Sequence, residues 1–181
     1  MVHNMFDFDS GALWKDENFD ISIGRSTNGK VPDLTFFGGA LMEVAAFDGR
    51  TLTEEVSMVK ELNHDYQQDT PIGFHLHWMP TTTNSGTVSW NLDYIIKHPA
   101  TSITVSGTLT VLDTSSRIAW KIQTADFPDI DLGVNALIGA QIHFRFYRSP
   151  TLDTYPDDAT LATMGYHYQT NSRGSSERIM K

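Results

Sequence analysis

From Pro32 onward the chain alternates apolar and polar residues with a period of two, in one run after another. That period marks strands with a single buried face, because successive side chains on a strand point to opposite sides. Ile72, Phe74, Leu76 and Trp78 alternate with Gly73, His75, His77 and Met79. After a turn over Thr81–Gly86, Val88, Trp90, Leu92, Tyr94 and Ile96 alternate with Ser89, Asn91 and Asp93 until His98-Pro99 breaks the run. Ile103, Val105, Leu109 and Val111 mark a further strand, with Gly107 as a bulge or close packing point. Ile118, Trp120 and Ile122 predict the next. Ile138, Ala140, Ile142, Phe144 and Phe146 form an apolar face opposite Gln141, His143, Arg145 and Tyr147. The last strand sets Ala162, Met164, Tyr166 and Tyr168 against Leu161, Thr163, Gly165 and His167.

Upstream, Leu34–Phe37 and Leu41–Phe47 read as strands parted by Gly38-Gly39. Thr51–Leu62 reads two ways. Thr51-Leu52-Thr53-Glu54 matches a helix capping box, while Val56, Met58 and Leu62 share one face of a strand. The neighbouring pattern favours the strand. Asp126–Asn135, with Pro128 and Gly133, is a long connection of the kind that makes Greek-key returns. About eight to ten closely spaced strands punctuated by Gly, Pro, Asn and Asp predict one all-β domain, an antiparallel β-sandwich of jelly-roll-like form.

Residues 31–170 carry that domain, and the polar stretch 171–181 reads as a loose tail. Residues 1–30 differ. Phe6, Phe8, Trp14 and Phe19 stand among Asp, Gly, Ser and Asn without sustained periodicity. They predict either peripheral strands docked on the domain or an arm that lays its aromatics on a neighbouring subunit.

A chain of 181 residues is long enough to bury about 70% of its unfolded surface in one domain. With 22 acidic against 13 basic residues its formal charge is −9, and no Lys/Arg run is present. Nucleic-acid binding draws its affinity from cation–phosphate contacts, so no nucleic-acid partner is expected. The absence of cysteine excludes disulfides, thiolate metal sites and a cysteine nucleophile, and fits assembly in a reducing cytoplasm. The N-terminus has acidic residues where a secretion signal would be positive, and no segment approaches the roughly 20 apolar residues that span a bilayer. No membrane partner is expected.

His75-x-His77 is the plainest metal candidate, since residues two apart on a strand face one side. His143 or His167 would supply a third ligand if their strands lie nearby. A cupin-like metalloenzyme would begin its site with such a pair and then require an acidic residue shortly afterwards, but none occurs between His77 and Asp93. The histidines therefore read as a polar strand face, with no cofactor and no stoichiometric metal expected. Asp153, Asp157 and Asp158 lie close enough in sequence to suggest calcium or glycosidase chemistry. Their spacing lacks a calcium-loop signature, and Asp with Pro is ordinary turn chemistry. Asp126, Asp129 and Asp131 read as a solvated acidic loop. No nucleophile elbow, phosphate loop or dinucleotide fingerprint occurs, so no enzyme is expected. Trp78, Trp90 and Trp120 fall in phase with apolar neighbours and predict core rather than a sugar-binding platform. Trp14 alone lies outside a strand pattern.

Two segments carry a resemblance. Phe74, His75, His77 and Trp78 match an F-H-x-H-W strand. Arg148, Pro150, Asp153, Thr154, Tyr155, Asp158 and Ala159 match an R-x-P-x-x-D-T-Y-x-x-D-A loop, and His167-Tyr168 ends the strand that follows. This pattern resembles a group of tailed-bacteriophage virion structural proteins of the capsid cement or decoration type. The resemblance implies a jelly-roll homotrimer on the outside of a capsid, with the major capsid protein and further copies of itself as partners. It also implies a virion location after assembly in the host cytoplasm. A receptor-binding or fibre-tip module of the same virus is the alternative, and the metalloenzyme a distant third. Phe6, Phe8, Trp14, Phe19, His75, His77, His143 and Arg145 are the expected interface residues.

Overall fold

The computed structural model describes residues 13–19, 30–39, 43–48, 54–98, 104–131 and 138–170. Ten strands occur among them: β1 (Leu13–Phe19), β2 (Asp33–Phe36), β3 (Glu43–Phe47), β4 (Glu55–Glu61) and β5 (Ile72–Pro80), then β6 (Thr87–Lys97), β7 (Thr104–Thr114), β8 (Gln123–Asp126), β9 (Gln141–Arg148) and β10 (Ala159–Thr170). A 3-10 turn over Phe37–Gly39 follows β2. All pairings are antiparallel. One sheet runs β2-β3-β10-β5-β8, with β1 also on β10, and the other runs β4-β9-β6-β7. Strands distant in sequence sit side by side in both, as Greek-key returns require, and the two sheets form a jelly-roll-like antiparallel β-sandwich.

The apolar phases of β5, β6 and β9 meet between the sheets. Ile72, Phe74, Leu76 and Trp78 face Val88, Trp90, Leu92, Ile142, Phe144 and Phe146, all buried. Trp90 stacks on Phe146 with centroids 5.1 Å apart, and Phe47 meets it edge-on at 5.5 Å. Trp78 lies across from Trp90 at 6.0 Å and donates from Nε1 to Asp113 Oδ2 on β7 at 2.7 Å, a bond between the sheets. The two-sided stretch is a strand where described, over β4. Its Thr51–Thr53 lies outside the described residues, as do Leu41, Ile103, 132–135, Phe6, Phe8 and the tail 171–181.

Two sequence expectations need correction. Ile118, Trp120 and Ile122 do not form a strand: 117–120 is bend and turn, with Arg117 and Trp120 at φ of 61° and 65°. Ile118 and Ile122 are more than half exposed, and Trp120 is not core. Local side chains hold the turn: Ser116 N–H donates to Gln123 Oε1 at 2.6 Å and Arg117 N–H to Ser115 Oγ at 3.1 Å. Such bonds offer the backbone an alternative to a ladder, and the strand begins only at Gln123. The second correction concerns β10. Leu161 pairs with Trp78 and Thr163 with His77, so Ala162 is an extra residue at a bulge. Leu161 packs in the core, and beyond the bulge the phase flips, so that Met164, Tyr166 and Tyr168 point inward while Ala162 does not join them.

Residues 13–19 form a seven-residue strand paired along β10 from Leu13–Thr170 to Phe19–Met164. Its alternation is absent because only Phe19 is buried. Polar contacts anchor it instead. Lys15 Nζ pairs with Asp65, which also accepts from Tyr168 Oη at 2.9 Å. Asn63 Nδ2 donates to Glu17 Oε1 and to Tyr168 Oη, each at 2.8 Å.

Candidate functional site

The loop that carries the more specific half of the resemblance closes over one end of the sandwich. Arg148, the last residue of β9, is fully buried, and all five of its N–H donors are used. Nε and Nη2 form a fork on the Asp153 carboxylate at 2.7 and 2.8 Å. Nη1 donates to the carbonyls of Phe47 and Asp157 at 2.9 and 2.6 Å, and Nη2 to that of Tyr155 at 2.7 Å. Asp153 in turn accepts from the backbone N–H groups of Ser89 and Tyr155, each at 3.0 Å. Tyr155 is buried against Trp78, centroids 6.2 Å apart, so the two halves of the pattern touch. Asp157 Oδ2 accepts from Thr82 Oγ1 at 2.6 Å and from Asn84 Nδ2 at 2.9 Å. Burial pushes the Asp158 carboxyl above the ordinary carboxylate range, with the nearby Asp48 adding to the shift. Asp153 and Asp157 are thus occupied as turn and corner ligands, and Arg148 is a tie between β9, β3 and the loop.

The expected histidine pair lies on the outer face of the six-stranded sheet. His75 and His77 rings meet edge-on with centroids 5.3 Å apart. His77 Nδ1 is hydrogen-bonded to Thr124 Oγ1 of β8 at 3.0 Å. The closer partner of His75 is His167 on β10, stacked on it at 4.4 Å with the planes 15° apart. Asp16 of β1 completes the group, its Oδ1 3.7 Å from His75 Nε2 and 3.8 Å from His167 Nε2. Glycine makes room for this stack: a Cβ on Gly165, which pairs with His75, would lie 3.0 Å from His75 Cε1 and 2.7 Å from the Glu17 carbonyl. Burial lowers the His75 pKa, and the like charge of His167 lowers it further. Beside the stack lies a cavity of about 420 Å³ lined by Trp14, Gly73, Asp126, Asp129 and His167 among others. The sequence names His167 and the acidic loop singly, but only the sheet register assembles them, and it gives no sign of Asp16.

The remaining expected residues scatter. His143 and Arg145 are on β9, in the other sheet. There His143 stands exposed between Val59 and Ile95, its partners on β4 and β6. Arg145 holds Asp93 Oδ2 from Nη2 at 2.5 Å and Glu55 Oε2 from Nη1 at 3.2 Å. Its guanidinium also lies 4.8 Å from the centroid of the Tyr147 ring. Trp14 is 54% exposed at the cavity rim, whereas Phe19 is in the core against Phe144 at 4.5 Å. Among the described residues no helix is long and apolar enough to cross a membrane.

No family model matches the chain, and no curated protein does. Among solved structures, it is similar to Arthrobacter globiformis T6 isomalto-dextranase complexed with panose at TM-score 0.44 and 14% identity, over 68% of this chain but 18% of that one. A xylan-binding module matches at TM-score 0.42 and 13% identity, over 87% of this chain and 97% of the module. Dimeric latent PorU from Porphyromonas gingivalis matches at 0.41 and 8%, over 93% of this chain and 15% of that one. The chain therefore spans less than a fifth of the first and third of these proteins. At these identities and TM-scores the likenesses carry no functional meaning.

Proposed function

We propose that this chain is a structural protein of a tailed-bacteriophage virion, a homotrimer that binds the outside of the capsid as a cement or decoration protein. The observation that carries the reading is the junction of Trp78 with Tyr155 and of Arg148 with Asp153. Residues that resemble the virion pattern, from two segments far apart in sequence, interlock into one rigid corner. They serve the framework. What the framework presents outward suits broad docking. Val59 and Ile95 are about half exposed on the outer face of the four-stranded sheet, and Leu34 and Phe36 on the edge strand β2. β7 runs for eleven residues along a sheet edge with Asp113 as its one charged side chain. A long edge with so little charge is a ready template for pairing with another chain. A cement protein gains its hold by bridging subunits over such surfaces, with no pocket required.

A receptor-binding or fibre-tip module is the second reading. The exposed Trp14 indole beside Asp126 and Asp129 favours it, because an aromatic face flanked by carboxylates suits a sugar ring. Cryo-electron microscopy of virions with and without the gene separates the two. The cement reading expects trimeric density on the outer shell that vanishes with the gene, and particles that break more readily on heating. Density at the tail tip instead supports the second reading, and absence of the protein from washed particles overturns both.

A further inference from the structure

The geometry points to a divalent transition-metal site formed by Asp16, His75 and His167, which staples β1 to β10 and β5 across the outer face of the six-stranded sheet. It is independent of the proposed role in the virion. The three side chains come from three adjacent strands, and their donor atoms all lie within 4.8 Å of one another. Zinc with bonds of about 2.0–2.1 Å places neighbouring donors about 3.3 Å apart. The Asp16 contacts of 3.7 and 3.8 Å therefore need only a small closure. The stacked imidazoles must also tilt to aim both lone pairs at one point. His167 has the room, because it is paired with Gly73 and borders the cavity.

An ordinary hydrogen-bonded histidine cluster does not account for His75. The residue is 2% exposed, and its Nε2, the nitrogen that faces Asp16, has only that long contact at 3.7 Å. A nitrogen on so buried a side chain, held by so long a contact, is short of a partner, and an ion between it and Asp16 supplies one. The donor set selects the ion: two imidazoles and one carboxylate suit zinc or a neighbouring first-row dication over calcium or magnesium, which prefer all-oxygen ligands. The set also differs from the His75-x-His77 pair expected on sequence, since His77 is bound to Thr124.

The test uses the untagged full chain and zinc ion alone, with titration calorimetry and thermal unfolding. One zinc per chain is expected, with a midpoint raised by several degrees because the ion binds only the folded state. Asp16→Asn and His167→Gln change side chains that are nearly half exposed, so they should fold as the parent does without zinc. Each should weaken zinc binding at least about tenfold. His77→Gln should bind as the parent does. No heat and no midpoint shift with zinc would overturn the site. So would zinc binding that survives His167→Gln, an equal loss in His77→Gln, or calcium acting as well as zinc.

Discussion

Arg148→Met tests whether the buried corner is an architectural tie. The substitution keeps the apolar length of the side chain and removes a guanidinium that makes five hydrogen bonds. The Asp153 carboxylate, 1% exposed, would keep its two backbone donors but lose its counter-charge. Breaking a buried ion pair by removing one partner costs about 3–5 kcal/mol. The carbonyls of Phe47, Tyr155 and Asp157 also lose a donor, and each adds about 1–3 kcal/mol wherever water cannot enter. A loss of at least ~4 kcal/mol is therefore expected, against a total of about 5–15 kcal/mol for a typical domain. Arg148→Lys keeps the charge but offers three donors and no planar fork, so its loss should be intermediate, about half as large. Urea unfolding followed by tryptophan fluorescence reads both, with an unchanged dependence on denaturant showing that the native and unfolded states are otherwise alike. A loss under about 1 kcal/mol for Arg148→Met, or none for Arg148→Lys, would show that the fork does not hold the corner.

Gly86→Ala should cost roughly 2–4 kcal/mol, because φ there is 147° and the new Cβ would sit 2.5 Å from the Tyr155 Cα, where only backbone can yield; a thermal midpoint within a degree of the parent would contradict this. Trp90→Ala should cost about 3–5 kcal/mol, while Trp120→Ala, on the turn after β7, should cost about 1 kcal/mol or less; equal losses in urea unfolding would mean that Trp120 is core after all. Asp65 is the pH probe: burial pushes its carboxyl up, but the hydrogen bonds from Lys15 and Tyr168 outweigh that and hold it below the ordinary value. Its contribution is then fully present above the unfolded value of ~3.9 and is lost as pH falls through the lower folded value. The gap in thermal midpoint between the parent and Asp65→Asn should stay constant from neutrality down to about that value and close below it; a gap that closes above it refutes the sign.

β5, β6 and β9 were legible because the face each turns to the opposite sheet is apolar, which writes a period of two into the sequence even where His75, Ser89 and Asn91 of the outer faces are also buried. β1 was not. Of its seven residues only Phe19 is buried, and the strand is held by pairing with β10 and by Lys15, Asn63 and Glu17, contacts that leave no apolar pattern. The reverse error arose at Ile118, Trp120 and Ile122, where alternation occurs by chance in a turn fixed by Ser115, Ser116 and Gln123. The deciding signal there was polar and local, and a search for hydrophobic period passes over it.

The histidine group shows a different limit, one of register. His75 and His77 do share a face, as a spacing of two dictates, yet the ring that stacks on His75 comes from β10. Alternation alone sets His167 opposite Met164, Tyr166 and Tyr168, but it sets Leu161 on that same outer face, and Leu161 is buried. The bulge at Ala162 adds one residue, so that Leu161 points inward while His167 points outward, opposite Gly73 and next to Asp16 of β1. The same extra residue turns Tyr166 and Tyr168 into the core, so one irregularity both completes the packing and builds the outer cluster. No composition or spacing rule marks Ala162 for that role. The requirement comes from the fixed register of β10 against β5, which must bring Leu161 onto Trp78 and Met164 onto Leu76 in the same strand.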